Sequence, residues 1–518
     1  MLISDIPEIA AHHEPDKVAV YFEDRAWTFT ELRDRCWQLS NALATIASPG
    51  DRIAILSENC PEYGECYYGV PGAGMALTFL NYRLTARELT YIVGNNAPSV
   101  VIVQPKYLDT IRKILPELPS VKTVVLIGGE TDDTLSYDAL IARGDAKPPA
   151  LRPHEDDLCW LLYTSGTTGL PKGAMLTHRN LIASIANSMA NGAEAPPDEV
   201  CLFMFPQFHV AGYVMPMYHL RKWPVVVLGA FDAESFLSAV EKHRVTQAPM
   251  APTMLAMMLE NPAMRKYDLS SLRSFGYGAS SMPLEVLRRG FKAFPGVGFG
   301  TGFGMTELAG NVMAMGKADH VRAAEHGLAI IGSVGKQMPL SRVRVLLEDN
   351  SNAPPGVPGE IVVKGDQVLK GYWNNPKATE DSFIDGWFRT GDVGRWDEDG
   401  YLYIVDRKKD MILTGGENVY PREVEEVLYE HPAIAEAAVV GAPDPKWGES
   451  VVAVLRLREG EQVEAAEVVA FCRERIASYK KPKFVCYVTE LPRNASGKIL
   501  KRELRDRIAA GELQLNRA

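Results

Sequence analysis

Tyr163-Thr164-Ser165-Gly166-Thr167-Thr168-Gly169-Leu170-Pro171-Lys172-Gly173 is the stretch that decides how this chain is read. Its left flank, Leu158-Cys159-Trp160-Leu161-Leu162, is short and apolar, the pattern of a buried strand. The hydroxyl and glycine residues that follow give up any side-chain core. They offer backbone N–H groups, small hydroxyls and freedom in φ, which is what wrapping phosphate oxygens requires. Lys172 adds a point charge, and a helical pattern resumes over residues 177–188. Strand, loop, lysine and helix in that order predict a phosphate cradle. It is not the common P-loop, which has glycine directly before its lysine and Ser or Thr directly after it. Pro171 and Gly173 hold those places here.

Towards the N-terminus, Lys17-Val18-Ala19-Val20-Tyr21-Phe22 reads as a strand, and Thr30 stands where a helix N-cap belongs. Leu32, Cys36, Leu39 and Leu43 then recur at helical spacing. Arg52-Ile53-Ala54-Ile55-Leu56, Val100-Val101-Ile102-Val103 and Thr123-Val124-Val125-Leu126-Ile127 are further strands. Strands alternating with helices predict an α/β fold with mostly parallel sheets. Nothing before residue 158 carries evident chemistry.

Towards the C-terminus, Phe205-Pro206-Gln207-Phe208-His209-Val210-Ala211-Gly212 sets a histidine among aromatics, either as a core residue or as a ring guarding an apolar pocket. Ser274-Phe275-Gly276-Tyr277-Gly278-Ala279-Ser280-Ser281 ends a strand in small residues, and Met282-Pro283 starts a helix. Gly298-Phe299-Gly300-Thr301-Gly302-Phe303-Gly304-Met305-Thr306-Glu307 has the glycine density that lets backbone approach a planar ligand. Phe303 offers a stacking face, Thr306 a hydroxyl for phosphate, and Glu307 a carboxylate for a hard cation. Asp392, straight after Gly391, reads either as a solvated turn residue or as a carboxylate able to accept ribose hydroxyls. The charge run Asp406-Arg407-Lys408-Lys409-Asp410 separates the α/β part from a shorter stretch with its own pattern, a helix from Pro421 and strands near 437–440 and 451–457. That stretch ends in Pro492-Arg493-Asn494-Ala495-Ser496-Gly497-Lys498, a lysine on a loop able to reach a neighbouring site.

Taken together, these motifs resemble the adenylate-forming enzymes, in their order and spacing, over residues of about 15 to 505. Residues 411–420 are most like bacterial fatty-acyl-CoA ligases. The resemblance implies a large N-terminal AMP-binding domain over 1–405, a hinge at 406–409 with Lys409 as pivot, and a small mobile α+β lid over 410–518. It implies that an acid and ATP give acyl-AMP and pyrophosphate, and that coenzyme A then displaces AMP. Lys498, Thr306 and Glu307 would be catalytic. Thr164, Ser165, Gly166, Thr167, Thr168, Gly169 and Lys172 would hold the phosphates, and Mg²⁺ would sit on Thr164 and Glu307. Gly278, Ala279, Ser280, Phe303, Gly304, Met305, Asp392 and Arg407 would complete the nucleotide site. His209, Gly212, Tyr277, Gly278 and Gly302 would line the acyl pocket, and Gly415 and Gly416 the coenzyme A channel. The acid is expected to be a fatty acid, with an aromatic or alicyclic acid second. A carrier-protein acceptor and a luciferase-like second step are the alternatives.

The bulk numbers agree with this class. At 518 residues the chain exceeds one ordinary core. A net charge of −10 argues against nucleic acid as a partner. Seven cysteines without C-x-x-C spacing give no zinc motif and fit a reducing compartment. No signal peptide or transmembrane run is evident, so a cytoplasmic protein acting on a small carboxylic acid is expected. The resemblance also allows a homodimer.

Overall fold

A computed structural model describes residues 1–164, 170–191, 196, 198–278, 282, 284–326, 328–493 and 499–517. The chain divides into two compact units, Met1–Val343 with Val363–Phe388, and Arg344–Val362 with Arg389–Ala518. The second unit therefore takes in chain on both sides of the charge run.

Two sheets organise the first unit. One runs in the order Gly371–Tyr372, Lys172–Thr177, Leu158–Thr164, Ala76–Leu80, Arg52–Leu56, Val100–Val103, Thr123–Leu126, Leu135–Ser136. From Leu158–Thr164 through Thr123–Leu126 its neighbours are parallel, as the alternating pattern predicts. Buried Val, Ile and Leu fill both faces of the middle strands, the signature of a sheet covered on each side. The other sheet includes Cys201–Phe203, Gln247–Met250, Ser274–Tyr277, Gly298–Met305 and Gly310–Met315, the last pair antiparallel.

Helix Phe29–Leu43 buries Leu32, Cys36, Leu39 and Leu43 as expected, but its cap is Thr28 and not Thr30. Thr28 Oγ1 accepts from Glu31 N at 3.2 Å, while Glu31 Oε2 accepts from Thr28 N at 2.7 Å. The pair forms a capping box, a signal present in the sequence as Thr-x-x-Glu. The helix crosses the largely buried helix Pro61–Gly72 at a point where a Cβ on Gly69 would lie 3.0 Å from Cys36 O and 2.8 Å from Leu39 Cδ2. Only glycine permits that approach.

In the second unit, a sheet containing Ile412–Thr414, Ile434–Asp444, Gly448–Leu457 and Phe484–Tyr487 packs helices Pro421–Tyr429 and Ala465–Arg473 against one core and helix Lys501–Ala509 against another. The charge run is not merely solvated. Asp406 and Asp410 are buried, Asp406 accepting from Arg422 N at 2.8 Å and Asp410 pairing with Arg505 at 3.0 Å.

Candidate active site

Lys172 does not lead into a helix. It opens the strand Lys172–Thr177, antiparallel to Leu158–Thr164, and helix His178–Asn191 starts only after it. The strand has neighbours on both sides and buries both faces, so it lacks the alternation that would reveal it. Thr164 and Lys172 are register partners, so the intervening loop leaves and re-enters the sheet at one point. Ser165, Gly166, Thr167, Thr168 and Gly169 lie outside the described residues, as do Ala279, Ser280 and Lys498.

From that point Thr164 Oγ1 donates to Glu307 Oε1 at 3.0 Å. Glu307 is buried, carried on the short turn Thr306–Leu308 at the end of strand Gly298–Met305. The two motifs richest in glycine and threonine, 143 residues apart, therefore meet through one carboxylate. The phenol of Tyr372 donates to the same oxygen at 3.1 Å, and its ring lies 5.2 Å from the Lys172 ammonium. Burial, with Glu307 second, pushes the Tyr372 phenol well above its ordinary range, so it stays a donor. Among the described residues Glu307 Oε2 accepts no hydrogen bond. An oxygen-only site with one free carboxylate oxygen suits a hard divalent cation such as Mg²⁺. Among the described residues no three His, Cys, Asp or Glu side chains converge on a metal centre.

The glycines of the Gly298–Met305 strand answer chiefly to their own chain. A Cβ on Gly304 would lie 2.0 Å from Gly310 O, and one on Gly302 would lie 2.6 Å from Asn311 Nδ2. Gly278 differs, since its nearest described atom, Gly302 O, is 3.6 Å away. Phe303 and Met305 are half-buried on this strand. Tyr277, at the end of the neighbouring strand, is hydrogen-bonded to His320 Nε2 at 2.8 Å. His320 Nδ1 lies 2.8 Å from Gly316 O, which only accepts. His320 is therefore the neutral Nδ1–H tautomer and accepts the hydrogen bond of the Tyr277 hydroxyl on Nε2. Burial keeps it neutral by lowering its pKa.

His209 packs at 4.3 Å on Phe208, and burial, aided by Arg83, pushes its pKa down to about 4. It is a neutral, half-buried ring near neutral pH. Gly212, expected beside the acyl group, is glycine because a Cβ there would lie 2.3 Å from the Tyr67 hydroxyl.

In the second unit Asp392 and Arg407 are register partners on antiparallel strands, with an ion pair of 2.6 Å. Asp392 is buried. Gly415 and Gly416, at φ +60° and +87°, form the two-residue turn between Ile412–Thr414 and Glu417–Val419. Both left-handed positions favour glycine in such a hairpin. Gly415 N donates to Trp447 O at 2.8 Å, and a Cβ on Gly415 would press on the Trp447 ring. Lys409 is exposed in the short turn Lys408–Asp410.

Tyr372 and His320 are the residues that sequence reasoning passed over. Tyr372 sits in Lys-Gly-Tyr-Trp-Asn-Asn-Pro, which reads as turn chemistry.

Residues 7–373 match the family model described as AMP-binding enzyme, and residues 423–498 match the model of the AMP-binding enzyme C-terminal domain. The chain belongs to the AMP-binding enzyme family. Within this family it is similar to a feruloyl-CoA synthase of Amycolatopsis sp, 40% identical over 97% of this chain and 98% of that protein. It is 34% identical to a long-chain-fatty-acid–CoA ligase of Mycobacterium tuberculosis, over 97% of this chain and 96% of the other. Among solved structures, ATP-bound MatB from Rhodopseudomonas palustris superposes with a TM-score of 0.87 at 30% identity, covering 98% of this chain and 99% of that one. As an AMP-binding enzyme of the acyl-CoA synthetase branch, the chain is an acid–CoA ligase that uses ATP and coenzyme A. Among the described residues no helix is long and apolar enough to cross a membrane.

Proposed function

We propose that the chain joins an aromatic carboxylic acid to coenzyme A by way of an acyl-adenylate, with the chemistry assembled around Glu307. The observation that carries the site assignment is the Glu307 carboxylate, tied through one oxygen to Thr164 at the foot of the Thr/Gly loop, its second oxygen accepting no hydrogen bond among the described residues. In the first half-reaction a carboxylate oxygen of the acid bonds to the α-phosphorus of ATP. The bond to the bridging oxygen breaks and pyrophosphate leaves. Thr164 and Lys172, with residues 165–169 between them, hold the β- and γ-phosphates. Glu307 and Thr164 are the residues that would hold Mg²⁺, which supplies charge neutralisation when bound. Lys498 contacts the acid and the α-phosphate as charge shifts between them. Asp392 accepts the ribose hydroxyls, with Arg407 fixing its carboxylate. Phe303 faces the base, and Gly278, Ala279, Ser280, Gly304, Met305 and Thr306 complete the nucleotide walls.

In the second half-reaction the thiolate sulfur bonds to the acyl carbon and AMP leaves with the electron pair. The 406–409 segment acts as hinge, with exposed Lys409 as pivot, and Gly415–Gly416 admits the thiol arm. The chain works in the cytoplasm on this reading.

The acid is drawn as aromatic because the feruloyl-CoA synthase is the more similar of the two relatives. A fatty acid, expected from residues 411–420, is the second reading, and the mycobacterial relative favours it. The test is AMP release from MgATP over a panel of hydroxycinnamic, benzoic, arylacetic and long-chain fatty acids, with and without coenzyme A. Multiple turnovers confined to aromatic acids and dependent on coenzyme A are expected. Turnover confined to fatty acids would transfer the assignment to the second reading. Acyl-AMP that accumulates regardless of coenzyme A would remove the thiol step.

A further inference from the structure

We propose that Tyr372 is the positioning residue of the nucleotide site: its hydroxyl shares Glu307 Oε1 with Thr164, leaving Oε2 for a divalent cation, while its ring face seats the Lys172 ammonium. This rests on the assignment of Glu307 and Lys172 given above.

The local frame explains why a side chain at 372 reaches both groups. Gly371–Tyr372 pairs antiparallel with Lys172–Thr177, and Tyr372 lies opposite Ala174. Residues 172 and 174 share a face of the sheet, so the phenol stands diagonally beside Lys172. The backbone on either side is pinned, Tyr372 N to Thr379 Oγ1 at 2.9 Å and Trp373 N to Gly173 O at 2.7 Å. Leu369 N donates to Glu307 O at 2.8 Å, which ties the same segment to the turn that bears the carboxylate. Phenol and carboxylate are thus held in one rigid piece of the first unit.

Two donors on Oε1 stop the carboxylate from rotating and direct Oε2 alone towards a ligand. The ring has a second effect. Lys172 opens a strand and Glu307 sits on the turn Thr306–Leu308, and among the described residues the two form no ion pair. The Tyr372 ring instead gives the ammonium a face within cation–π range. The lysine remains available to phosphate and the carboxylate to the cation. Partners of this kind, acting through a metal ligand, typically change metal affinity by about 10–100-fold.

The test uses the full-length protein, with Y372F and Y372L. Mn²⁺ is titrated by EPR in the presence of an ATP analogue with a methylene between the α- and β-phosphorus. Analogue binding is measured separately in EDTA by calorimetry. Y372F keeps the ring and loses the hydroxyl, so Mn²⁺ is expected to bind about tenfold more weakly while metal-free analogue binding is unchanged. Y372L loses both, and its metal-free binding should also weaken, by about threefold. A Y372F protein that binds Mn²⁺ like the wild type overturns the inference, as does a Y372F protein whose metal-free binding falls as far as that of Y372L. If the wild type itself shows no nucleotide-dependent Mn²⁺ binding, the assignment of Glu307 fails first.

Discussion

Replacing Gly304 by alanine separates a glycine needed by the chain from one needed by a ligand. The added Cβ would lie 2.0 Å from Gly310 O, 2.5 Å from Gly310 C and 2.6 Å from Asn311 Cα. An ordinary carbon–oxygen contact is about 3.2 Å or more, so about 1 Å of overlap must be relieved. The atoms met are backbone on the partner strand, and no side chain is there to swing away. Relief means parting the Gly298–Met305 and Gly310–Met315 strands beside an existing irregularity at Phe303/Gly304. Overpacking costs about 1–3 kcal/mol, and a backbone clash belongs at the upper end. In a domain of this size that is a fall in Tm of a few degrees, roughly 3–5 °C. Thermal unfolding followed by tryptophan fluorescence reads it directly. G278A is the control, because its nearest described neighbour at 3.6 Å is an ordinary contact. It should melt within about 1 °C of the wild type. Any loss it shows should appear in the KM for ATP. A G304A protein as stable as the wild type would refute the reasoning.

R407A removes the 2.6 Å ion pair of the buried Asp392 carboxylate and should cost about 1–2 kcal/mol, discounted because the arginine is partly exposed; urea unfolding checks it, and D392N/R407A should be less than additive. His178, His209 and His219 are each held by burial at a pKa of about 4, below the ordinary 6.5. Between those values the unfolded chain binds more protons, so stability is complete above about pH 6.5 and falls as pH drops towards 4. H209N should reduce that slope by one proton, about 1.4 kcal/mol per pH unit at most, in urea unfolding at pH 7 and pH 5. Arg493 and Ile499 form an antiparallel bridge, and Lys501 pairs with Glu425 at 2.8 Å, so both ends flanking residues 494–498 are anchored. K501A should slow acyl-AMP formation by about tenfold while leaving thioester formation from supplied acyl-AMP near wild type, a split that rapid-quench assays of each half-reaction resolve.

The sequence makes the sheets legible where strands are short, apolar and parallel, as at Arg52–Leu56 and Val100–Val103, because burial on both faces leaves an unbroken apolar run. The same burial hid Lys172–Thr177, whose Gly, Ala and Met suggest no strand. The N-cap expected at Thr30 falls on Thr28, which the acidic residue three positions on marks. The glycines of residues 298–304 announced close approach, but not that much of it is to the chain's own hairpin. Glu307 and Thr164 were legible as motif residues. Tyr372 was not, because its two contacts lie 65 and 200 residues away in the chain and its neighbours spell a turn.

The shared register of Thr164 and Lys172 bears on how this enzyme tolerates change. Gly173 keys that register, since a Cβ there would lie 3.1–3.2 Å from Leu161, Tyr163 and Trp373. A slip by one residue would push Lys172 or Ala174 into the glycine's slot and invert every side chain of the strand. The feet of the loop, Thr164 and Lys172, are therefore fixed by the sheet. Loop grafting between relatives at these two cut points should transfer phosphate handling as a unit, with the sheet beneath it unchanged.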